Sequence, residues 1–170
     1  MSLRTSLCSL VGLSLMTPAI WAADLSAPLA AIKAVGKEGK GNAAAIAAVR
    51  QLEKSDPADL PQILAAMDDA GPIARNWIRA AYETVASRPG VKIPQDALLE
   101  FLKDHTHLAQ ARRLAYDTLK AANPAIEGQL IPGMLEDPSG ELRRDAVAYA
   151  MGEAAKLATD GKKTEAQMKY

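Results

Sequence analysis

Apolar residues recur every three or four positions along almost this whole chain, and prolines and glycines interrupt that rhythm at short intervals. No run of period-two alternation survives, so the pattern predicts helices and no sheet. One residue in five is alanine, 34 of 170, and alanine is the best helix former. Hydrophobic residues make up 49 % and charged residues 24 %, which excludes global disorder. The 20 Lys plus Arg balance 20 Asp plus Glu. A dedicated nucleic-acid binder would need a cationic surplus to displace counterions.

The first 22 residues follow a different logic. Arg4 precedes an apolar stretch from Leu7 to Met16, and Thr17-Pro18-Ala19-Ile20-Trp21-Ala22 closes the segment with several small residues. That is the layout of a secretory signal peptide. A spanning helix needs about 20 apolar residues, and Thr17-Pro18 comes too early for one. Cleavage is expected after Ala22, with Ala19 and Ala23 as alternatives. Cys8, the only cysteine, lies inside the segment and away from its end, where a lipoprotein anchor would need it. The remaining 148 residues hold 19 Lys plus Arg, 20 Asp plus Glu and no cysteine. An exported chain without disulfides must stand on its hydrophobic core. The expected location is the bacterial periplasm or cell exterior, with no stable membrane insertion after cleavage.

Residues 23–41 read as a short helix carrying Leu29, Ile32 and Val35, followed by the linker Gly36-Lys37-Glu38-Gly39-Lys40-Gly41. Asn42 is placed to cap the next helix, with Ile46, Val49 and Leu52 on its apolar side. Asp59 is placed to cap a third, with Pro61 in its first turn. Further stripes are Ile73, Trp77, Ala81 and Val85; Leu98, Leu99 and Leu102; and Leu108, Ala111, Ala115 and Leu119. Beyond Asn123-Pro124 come Ile126, Leu130, Ile131, Met134 and Leu135, with Pro132 as an expected kink. A last helix runs from about Gly140 to Leu157. The tail, 158–170, is helix-prone and lacks a polar cap, so the chain is expected to continue or to dock onto another subunit.

The helices pair, and the pairs repeat. Three segments share one order: a helix rich in Leu and Ile, an aspartate, a short loop, then a helix opening with arginine. Arg75, Arg112 and Arg143 mark them, 37 and 31 residues apart. Spacing of this size marks stacked repeats. The run Leu130-Ile-Pro-Gly-Met-Leu-Glu-Asp137-Pro138, followed by Leu142-Arg143-Arg-Asp-Ala-Val147, resembles the HEAT-repeat family. Asp69 to Arg75 reproduces the six-residue spacing of Asp137 to Arg143, whereas the middle unit has Gln110 at that offset from Asp104. The resemblance covers about residues 42–157. It implies an all-α superhelical solenoid of antiparallel helix pairs, in which Asp69, Arg75, Asp137 and Arg143 ladder between units.

Residues with reactive chemistry are few. Asp104, His105 and His107 could ligate zinc or copper, but an imidazole pair two positions apart on a polar loop is ordinarily solvated, and no metal or other cofactor is expected. No Gly-X-Ser-X-Gly elbow and no phosphate-binding loop after a strand is present. Catalysis is therefore not expected of this chain. Solenoids bind along an exposed helix face, and Trp77, Arg79, Arg112 and Arg144 are the candidates for contact with a protein partner. For Trp77 a place in the core between repeats stands as the alternative. Two readings of function remain open. One is an exported scaffold for protein–protein binding, and the other is the accessory region of a larger secreted enzyme.

Overall fold

The computed structural model describes residues 24–168; the expected signal peptide, 1–22, lies outside the described residues. The described chain is all-helical, with no strand among these residues. The α-helices are α1 (Ser26–Lys33), α2 (Asn42–Leu52), α3 (Leu60–Ala65), α4 (Pro72–Ala86), α5 (Gln95–Lys103), α6 (Ala109–Ala122), α7 (Glu127–Met134), α8 (Gly140–Thr159) and α9 (Lys163–Gln167). No described helix is long and apolar enough to cross a membrane.

Helices adjacent in sequence pack as pairs: α1 with α2, α3 with α4, α5 with α6, and α7 with α8. The pairs also lean on one another, α2 against α4 and α3 against both α5 and α6. One hydrophobic cluster runs from Leu25 to Ala146. A single short helix pair cannot cover its own apolar faces, so burial against the next pair supplies the missing partner.

Alanine sets much of this packing. The inner face of α2 consists of Ala45, Ala48 and Leu52, whereas Ile46 is 42 % exposed. The expected stripe of larger residues is thus rotated. Small side chains admit α1 and α4 close to α2, and the bulkier Ile46 turns outward. In α4 the same shift leaves Ile73 exposed and buries Ala74, Ile78, Ala81, Tyr82 and Val85. The tail forms α9, which packs back on α8.

Two capping expectations also change. Asn42 is the first residue of α2 rather than its cap, and Gly41 precedes it at φ 81°. A Cβ on Gly41 would come within 3.3 Å of the Ala34 carbonyl oxygen, so this turn requires glycine. The Gly/Lys segment is closed on itself by the Gly36 amide donating to the Lys40 carbonyl at 2.9 Å. Asp56, not Asp59, caps the turn before α3, accepting from the Ala58 amide at 2.8 Å. Asp59 is buried instead, and its Oδ2 has no hydrogen-bond partner.

Candidate functional site

The repeated arginines close the first helix of the last three pairs. The last carbonyls of a helix lack intrahelical donors. Arg75 Nε donates to the Met67 carbonyl at 3.1 Å, Arg112 Nε to that of Leu102 at 2.8 Å, and Arg143 Nη1 to that of Asp137 at 2.5 Å. Each guanidinium, projecting from the second helix, thus takes up a carbonyl at or just beyond the end of the first.

The aspartates join one unit to the next, in a register that differs from the one expected. Asp68, not Asp69, faces the following unit. It accepts from the Leu108 amide at 2.7 Å and pairs with His107 Nδ1 at 2.7 Å. Asp69 is exposed and bonds Lys33 of α1 at 2.5 Å, a contact that holds its carboxyl below the usual range. At the next junction Asp137 accepts both terminal nitrogens of Arg112, Nη1 at 3.0 Å, and also the Ser139 amide at 2.8 Å. Arg112, expected on a partner-facing surface, is therefore an internal tie, 2 % exposed. Burial opposes charge on Asp137, yet the Arg112 and Ser139 bonds outweigh it and hold the carboxyl low.

The two histidines serve different carboxylates. His107 stacks on Phe101 with ring centroids 3.9 Å apart, and its Nε2 lies 3.8 Å from Asp104. His105 Nε2 sits 3.5 Å from Asp137. Asp104 itself closes its loop, accepting from the Thr106 amide and hydroxyl. No group of three or more His, Cys, Asp or Glu among the described residues is arranged to hold a metal ion.

Of the other candidates, Trp77 is partly buried against the core. Arg79 is exposed and pairs with Glu83 one turn along α4 at 2.8 Å. Arg144 is 76 % exposed on α8, with Asp145 at 3.7 Å. Arg79 borders two depressions on the face formed by α4 and α6. The smaller, about 220 Å³, is polar and is lined by Asn76, Gln110, Arg113 and Glu141 among others. The larger, about 710 Å³, lies between α4, α6 and the loop connecting α4 to α5. Its floor is tied across by Tyr82, whose hydroxyl donates to Thr118 Oγ1 at 2.8 Å. Burial pushes the Tyr82 phenol up to about 12, so it stays neutral.

Sequence reasoning missed this larger cleft. Its signal in the sequence is Val91 and Ile93, two apolar residues in the connection between α4 and α5. Comparison with protein-family models, with characterised proteins and with solved structures finds no match to this chain.

Proposed function

We propose that this chain is an exported, non-catalytic α-solenoid of HEAT-like helix pairs that binds a protein partner along the α4–α6–α8 face. The repeat reading draws support from the three arginines that close successive first helices, and from the Arg112–Asp137 tie between units. The observation that carries the binding reading is the polar depression on that face. Asn76 and Arg79 from α4, Gln110 and Arg113 from α6, and Glu141 from α8 converge there. Protein interfaces surround their anchors with such mixed donors and acceptors. Arg144 extends the exposed charge along α8.

The test is capture of envelope and secreted proteins on the folded chain, with heat-unfolded chain as the control. A partner retained by folded chain and lost with Arg79→Glu plus Arg144→Glu supports the reading. Retention unchanged by the double reversal sinks it. The second reading, an accessory region docking onto a catalytic domain, draws on the exposed apolar residues of α8. Val147 and Met151 on α8 are 46 % and 51 % exposed, beside the exposed Ala148 and Ala155. A partner lost with Val147→Glu but kept with the arginine reversals would favour it.

A further inference from the structure

The larger cleft differs in chemistry from the polar depression beside it. Its volume, about 710 Å³, falls within the roughly 300–1,000 Å³ typical of small-molecule sites. Ala86 of α4, Val91 and Ile93 of the loop, and Ala121 and Ala122 of α6 supply apolar walls. The Tyr82–Thr118 bond uses the polar atoms of its floor. What remains is the charge on its rim. Glu83 pairs with Arg79, and Asp117 shares Arg113 with Asp145, whereas Lys92 stands exposed at the loop, outside these pairs. The cleft thus offers apolar walls, rim acids that each meet an arginine, and a lysine outside those pairs.

We propose that this cleft binds a small amphiphile with an apolar body and a single anionic head, a free alkyl carboxylate, whose head pairs with the Lys92 ammonium. Ala121 and Ala122 leave room for the alkyl body beside Ile93, and the Lys92 ammonium repels a cationic head. Gln95, at the start of α5, lines the same rim and offers an amide to the carboxylate. This site is independent of the scaffold reading, because it uses a different depression and a different ligand.

The experiment is calorimetric titration of the folded chain with dodecanoate below its micelle concentration, at neutral pH. One saturable site is expected. Lys92→Glu should weaken it about tenfold or more, since the attraction becomes repulsion. Ala121→Trp, which fills the cleft from an exposed helical position, should abolish it. Dodecyltrimethylammonium, with the same tail and opposite charge, should show no saturable binding. Circular dichroism checks that both variants keep their helices. Three results would overturn the proposal: no saturable dodecanoate site, equal affinity for the cationic surfactant, or binding unchanged by Lys92→Glu.

Discussion

Two junctions in this molecule perform the same task with different chemistry. Between the α5–α6 pair and the α7–α8 pair, the Arg112 guanidinium is buried and fully engaged, bonding the Leu102 carbonyl and both oxygens of Asp137. Between the α3–α4 pair and the α5–α6 pair, Asp68 meets a backbone amide and an imidazole, and its side chain remains 32 % exposed. The first junction places two full charges where water cannot replace either partner. The second lets water compensate in part for any lost contact. A dry, completely satisfied ion pair is therefore fragile to the loss of one member, and a wet, mixed junction is tolerant. Helix packing is arranged accordingly, since α3 packs directly on both α5 and α6 across the wetter junction.

The largest effect should come from splitting the dry pair. Arg112→Ala strands the buried Asp137 carboxylate and leaves the Leu102 carbonyl without its donor, at a cost of about 3–5 kcal/mol in urea unfolding. Arg112→Met combined with Asp137→Leu should recover much of that loss, because packed apolar groups can replace a buried pair. A double variant no more stable than Arg112→Ala would show that the geometry matters beyond removal of charge. Asp68→Ala at the wetter junction should cost less, about 1–3 kcal/mol, by leaving the Leu108 amide unpaired. Equal losses at the two sites would break the contrast between them.

How legible these junctions are in the sequence follows from the same geometry. Helical periodicity predicts the pairs themselves, and the Asp-to-Arg spacing picks out Asp137, Arg75 and Arg143 as structural residues. It does not say which residue each one meets. A spacing along one unit reports contacts within that unit, and Arg143 indeed bonds the Asp137 carbonyl. The carboxylate's partner comes from the preceding unit, where no short spacing records it. Asp68 and Asp69 are adjacent acids, and only the burial of Met67 and Ala70 around them decides which one turns inward. The apolar cleft is equally hidden, because helix α6 and a loop meet there from distant stretches of sequence.

Titration sharpens the comparison with a third carboxylate. Asp137 is held low, so its contribution is present above the unfolded carboxyl value, near pH 4, and fades as pH falls through the folded value. Asp59 is pushed the opposite way: burial raises it, a hydrogen bond from the Asp56 backbone lowers it, and the Asp56 charge raises it further. Its ionisation costs stability as pH climbs through its raised value, and the relief is complete below the unfolded one. Asp59→Asn should therefore stabilise the chain by about 1 kcal/mol at pH 7 and by much less near pH 3. Thermal melts at the two pH values read this directly. A gain of the same size at both would mean that the benefit is not electrostatic.

The smallest effect belongs to a pair open to water on both sides. Arg79 and Glu83 lie one helical turn apart on α4, 59 % and 51 % exposed. Such pairs contribute about 0.3–0.5 kcal/mol, and salt screens them. Arg79→Ala should thus lower stability by no more than that, and the difference should vanish in 1 M salt, where the screening length falls to about 3 Å. The result matters because Arg79 borders both depressions, so its role in partner capture can be read only if its removal leaves the fold intact. A loss above about 1 kcal/mol, persisting in high salt, would make Arg79 a structural tie like Arg112. The contrast would then no longer divide buried from exposed arginines, and the α4–α6–α8 face would lose its clearest binding candidate.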